Sequence, residues 1–93
     1  MPYIKKKDRP KYDELIHKLS QVINSFENQK GDLNYCITIL IKEFMWNKGK
    51  CYNTLSDITG VLNDVKVEFE RKVVGPYEDK KIEENGGIYE GLV

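Results

Sequence analysis

Tyr12, Leu15, Ile16, Leu19, Val22, Ile23 and Phe26 recur at steps of three and four, which gathers them on one stripe of a helix. Asp8 stands where it can cap that helix, and Pro10 suits a first turn, where its missing N–H would have no partner. The helix is predicted to fade by Asn28, ahead of Gly31. Gly31-Asp32 then reads as a break followed by an N-cap. A second helix is predicted from about Leu33 to Trp46. Between them Leu33, Tyr35, Cys36, Ile37, Ile39, Leu40, Ile41, Phe44, Met45 and Trp46 leave almost no polar face, so this element must be covered on most sides. Its β-branched stretch from Tyr35 to Ile41 also fits a buried strand; the continuation of the pattern to Trp46 and the helical neighbours favour helix.

Asn47-Lys48-Gly49-Lys50 reads as a turn. The third helix is predicted from Tyr52 or Asn53 to about Val73. Its seam of Leu55, Ile58, Leu62, Val65, Phe69 and Val73 is widened by Val61. Gly60 inside it costs about 1 kcal/mol relative to alanine, which close packing against another helix would explain. Gly75-Pro76 is expected to interrupt the chain before a short fourth helix, Tyr77 to Glu84, closed by Asn85-Gly86-Gly87. The tail holds Ile88, Tyr89, Leu92 and Val93, and is expected to dock on the body or on a neighbouring subunit. The reading is all-α: one domain over 1–93, a small bundle of three main helices plus a short C-terminal helix, with an arm at 1–7 and a tail at 86–93.

Composition narrows the function classes. Among 93 residues, 40% are hydrophobic and 32% charged, a globular rather than a disordered balance. The longest apolar run, from Cys36 to Ile41, falls far short of the roughly 20 residues of a membrane span, and the first ten residues lack the apolar stretch of a signal peptide. The expected location is cytoplasmic. Fifteen basic and fifteen acidic residues cancel, which argues against a general nucleic-acid binder, although Lys5, Lys6, Lys7, Arg9 and Lys11 make the start basic. Cys36, Cys51 and the lone His17 do not make a zinc site, and both cysteines read as reduced thiols. No nucleophile, base and orienting acid come together, so no catalytic residue is assigned.

Two places could carry chemistry. Lys48 and Lys50 flank Gly49 just before a helix start, where free N–H groups and the positive dipole end attract anions. Asn53 and Thr54 could add donors, and Trp46 and Tyr52 could stack a base, so this turn is the candidate ligand site. The sequence is not a Walker motif, and lysines in a glycine turn commonly serve only solubility. On the fourth helix Asp79 and Glu83 lie one turn apart and could share a Mg²⁺ ion, as in all-α nucleotide hydrolases. Those enzymes draw carboxylates from two long helices, which this chain does not match. Solvated Glu/Lys pairs are the simpler reading, and no cofactor is expected.

Met1-Pro2-Tyr3-Ile4 with Asp8-Arg9, Gly31-Asp32-Leu33-Asn34-Tyr35, Gly60-Val61-Leu62 and the run from Pro76 to Gly86 resemble a family of short uncharacterised proteins from bacteria and their phages. The resemblance spans nearly the whole chain and implies a compact cytoplasmic protein without an assigned activity. The expected function is a non-enzymatic binding protein acting as a homo-oligomer, holding a small anionic ligand such as a nucleotide signal. A metal-dependent nucleotide hydrolase is the alternative.

Overall fold

The computed structural model describes residues 4–25, 27 and 29–89. In chain order it holds a 3-10 turn at Lys6–Asp8, α1 at Pro10–Ile23, α2 at Gln29–Lys48, α3 at Tyr52–Phe69, a π-helical turn at Glu70–Val74 and α4 at Gly75–Asn85. Among the described residues there is no strand, so the apolar run from Tyr35 to Ile41 is helical and the all-α reading holds. The chain divides into two compact units, Met1–Ile58 and Thr59–Val93.

In the first unit, Pro10 opens α1 as expected, but Asp8 does not cap it. Asp8 lies in the 3-10 turn, Arg9 takes the N-cap position without a side-chain cap, and the Arg9 Nε–H donates to the Ile4 carbonyl at 3.2 Å. The helix ends at Ile23, short of the predicted limit. The Ser25 hydroxyl donates to the Val22 carbonyl at 2.7 Å, the kind of local side-chain bond that competes with helix continuation. Phe26 and Asn28 lie outside the described residues.

Helix α2 begins at Gln29, four residues before the predicted start, so Gly31 and Asp32 sit inside its first turns rather than forming a break. One internal glycine costs only about 1 kcal/mol, little enough for a 20-residue helix to run through it. Asp32 therefore does not cap; its Oδ2 is buried with no hydrogen-bond partner among the described residues. The C-terminus follows the expected chemistry. Gly49 adopts φ +94° and its N–H bonds the Met45 carbonyl at 2.8 Å.

Helices α1 and α2 pack on each other. A groove of about 180 Å³ runs between Leu19, Val22 and Ile23 on one side and Asp32, Tyr35 and Cys36 on the other. Ile23, Cys36, Ile39, Ile41 and Met45 are half-buried, yet no hydrophobic side chain among the described residues is fully buried. Leu33, Ile37, Leu40 and Phe44, another stripe of α2, are exposed, Leu40 by 63%.

In the second unit, Gly75-Pro76 does not interrupt the helix. Proline lacks the N–H that would bond four residues back, and its ring would crowd that carbonyl. The chain meets this by widening into a π turn in which the Gly75 N–H reaches the Glu70 carbonyl, and α4 follows without a gap. Gly75 suits the position, because a Cβ there would stand 3.2 Å from the Glu70 carbonyl oxygen. At Gly60 a Cβ would meet nothing within 4 Å, so the close packing expected of it is not made within the described chain. Helix α4 ends at Gly86, at φ +83°, whose N–H bonds the Ile82 carbonyl at 2.7 Å. Beyond it Ile88 and Tyr89 are exposed and, with Ile82, wall an open hollow of about 560 Å³. Leu92 and Val93 of the expected docking tail lie outside the described residues.

Candidate functional site

The turn between α2 and α3 is built from the glycine outward. Positive φ at Gly49 ends α2 and lets the chain reverse within Lys50 and Cys51 before α3 starts at Tyr52. Lys48 thus sits in the last turn of α2, Lys50 in the turn, and Tyr52, Asn53 and Thr54 in the first turn of α3.

The side chains divide into two groups. Trp46 and Tyr52 are exposed, by 70% and 82%, and Lys50 and Asn53 are exposed as well. Lys48 Nζ lies over the Phe44 ring, 5.9 Å from its centroid, so this ammonium rests on an aromatic face of its own helix. Thr54 is the only described residue that is buried, at 5% exposure, and its hydroxyl is engaged with Cys51 Sγ at 3.4 Å. Of the six residues predicted for this site, Thr54 is therefore committed to a contact within the turn.

Cys51 was the residue that sequence reasoning passed over. It precedes α3 and its carbonyl accepts the Leu55 N–H at 3.0 Å, which is the N-cap position. The Thr54 hydroxyl, then the backbone N–H groups of Thr54 and Asn53, pull the thiol pKa below its ordinary value of 9.0; desolvation and the Asp57 carboxylate oppose them. The visible signal was a Cys-x-x-Thr pair at a helix start, in which sulfur occupies the place usually held by a serine or aspartate oxygen. Cys36, by contrast, is half-buried in the α1–α2 groove.

The remaining candidates are less organised. Asp79 and Glu83 are exposed one turn apart on α4, and no group of three His, Cys, Asp or Glu side chains able to hold a metal ion occurs among the described residues. Nearby, Lys81 pairs with Glu84 at 3.4 Å and lies over the Tyr77 ring at 5.6 Å. Near the start of α2, the Thr38 hydroxyl donates to the Asn34 backbone carbonyl at 2.8 Å, with the Asn34 carboxamide oxygen 3.3 Å away. His17 is exposed on α1, as are Lys5, Lys6, Lys7 and Lys11 near the N-terminus. No helix among the described residues is long and apolar enough to cross a membrane.

Helices without a buried apolar side chain among the described residues, joined by a turn in which a cysteine and a threonine side chain meet, define a small all-α protein whose apolar surface exceeds what its described residues cover. A family model described as a domain of unknown function (DUF6899) matches residues 1–88, and the chain belongs to that family. No curated protein and no solved structure matches it.

Proposed function

We propose that this is a non-enzymatic binding protein that works as a homo-oligomer. One observation carries the reading: no hydrophobic residue among those described is buried, while large apolar side chains on every helix stand open to solvent. Exposed apolar patches of that extent are rare on monomers and mark association surfaces. A small domain that cannot bury enough of its own surface is stabilised by a partner subunit.

The ligand half of the proposal is a small anion, such as a nucleotide, held at the turn between α2 and α3. It is supported by Lys48 and Lys50 beside a helix N-terminus and by the exposed rings of Trp46 and Tyr52. A phage- or mobile-element-encoded protein of this kind would act in the cytoplasm by sequestering its ligand rather than converting it. Native mass spectrometry tests both halves together, because it reports subunit number and retained ligand. Masses above the single chain, with intact nucleotide retained from a panel offered with and without Mg²⁺, are the expected result. A strictly monomeric mass at micromolar concentration refutes the oligomer, and turnover of the nucleotide refutes sequestration.

A further inference from the structure

The apolar seam that runs from α3 into α4 has the spacing of a coiled coil. Leu55, Ile58, Leu62, Val65 and Phe69 follow steps of three, four, three and four. Such a rhythm keeps side chains facing a partner helix when it is sustained over about three heptads. The next seam residue would fall at 72 and the one after at 76, but those positions are Lys72 and Pro76. The apolar residues come one place late, at Val73 and Tyr77.

The π turn lies between Phe69 and Tyr77, where a one-residue delay must be absorbed. In an uninterrupted α-helix Tyr77 would point about 80° away from Phe69, at ~100° per residue. One extra residue taken up in a π turn rotates everything after it back by about 100°, so Tyr77 falls within about 20° of Phe69. The widening that Pro76 provokes therefore lengthens the seam instead of breaking it.

From Leu62 onward, within the second unit, the seam is open. Leu62, Val65, Phe69, Val73 and Tyr77 are exposed by 44% to 59%, and Val61 beside them is exposed as well. Leu55 is exposed as well and Ile58 is half-buried, so the face offers a continuous row of large apolar side chains of the kind that a specific interface of ~800 Å² per partner covers. Gly60 faces the opposite side, about 180° from the middle of the seam at ~100° per residue.

We infer that residues 55–77 form a coiled-coil interface with a second copy of this chain, kept in phase by the π turn at Glu70–Val74. The inference rests on the homo-oligomer reading and names its surface. Cysteine cross-linking tests it in the full chain carrying Cys36→Ala and Cys51→Ser. Val65→Cys places a thiol in the seam, and Gly60→Cys places one on the outer face. Thiols held together within an assembly react at a millimolar effective concentration. Val65→Cys should therefore cross-link between copies roughly a hundredfold faster than Gly60→Cys at micromolar protein.

Sedimentation equilibrium adds the phase test. Tyr77→Ser should weaken assembly, whereas Ile82→Ser, which lies off the seam on α4, should leave it unchanged. Equal cross-linking rates at 65 and 60 in an oligomeric protein would overturn the seam while leaving the oligomer reading intact. Equal weakening by the two serine variants would overturn the phase role of the π turn. A wild-type protein that sediments as a monomer removes the oligomer reading, and the seam with it.

Discussion

Replacing Gly60 by alanine should stabilise the protein. Gly60 lies inside α3, where glycine costs about 0.8–1.0 kcal/mol relative to alanine because its backbone loses more freedom on folding. The gain is usually cancelled when the new methyl meets a neighbour. Here it meets nothing within 4 Å, and the position lies opposite the proposed seam. The whole propensity difference should appear, raising Tm by about 4–8 °C for a domain of this size. Gly75→Ala is the matched control. It too exchanges a helical glycine, but its Cβ would stand 3.2 Å from the Glu70 carbonyl, tighter than an ordinary contact, in the turn that accommodates Pro76. Its gain should be smaller than that of Gly60→Ala or reversed. Thermal denaturation followed by circular dichroism, at one fixed protein concentration, measures both variants. A fall in Tm for Gly60→Ala would show that a surface covers that face, and the assignment of Gly60 to the outer side would be wrong.

Other outcomes follow from single features. Cys51 should alkylate with a midpoint below 9.0, and Thr54→Val should raise that midpoint; a midpoint unmoved by Thr54→Val, read by mass spectrometry with Cys36 as internal reference, removes Thr54 as the cause. Because the folded pKa is lowered, the stabilisation from the Cys51 thiolate is complete above the ordinary thiol value and is lost as pH falls through the lowered one, so amides at the start of α3 should exchange faster, after correction for intrinsic rates, on the acid side of that window. Lys48→Ala/Lys50→Ala should weaken any anion found by native mass spectrometry by at least about tenfold in calorimetry, since a charge-assisted hydrogen bond is worth roughly 1.5–3 kcal/mol; an affinity within about twofold of wild type would move the ligand elsewhere. Lys18→Ala removes an exposed bridge to Glu14, 3.2 Å long, and should change unfolding free energy by less than about 0.5 kcal/mol in urea titration.

The helices were legible because their apolar periodicities are strong, whereas their boundaries followed competing local chemistry. Gly31 suggested a break, yet the apolar positions after it are numerous enough to carry α2 through one glycine. Gly75-Pro76 suggested a second break, because proline is normally read as a stop. The alternative, widening into a π turn, leaves no mark in composition and shows only as a one-residue delay between Phe69 and Val73. At α1 the predicted cap failed because the 3-10 turn already includes Asp8, so the helix start falls to Arg9.

The candidate site was legible as a place and not as a set of contacts. Lysines, a glycine and a helix start can be read from letters, but which donor is already engaged depends on geometry. Thr54 looked available to a ligand, and it is the one buried described residue, bound to a thiol three positions earlier. The same contact changes what the turn offers. An anion approaching the start of α3 would find the Thr54 hydroxyl already engaged with Cys51 Sγ, and the backbone N–H groups of Thr54 and Asn53 favouring the Cys51 thiolate. As the thiol deprotonates it becomes an anion itself, at the spot where a phosphate would otherwise bind. Anion binding at this turn and ionisation of Cys51 should therefore oppose each other. A ligand held here would bind more tightly on the acid side of the Cys51 titration, and Cys51→Ser would flatten that dependence without removing the lysines.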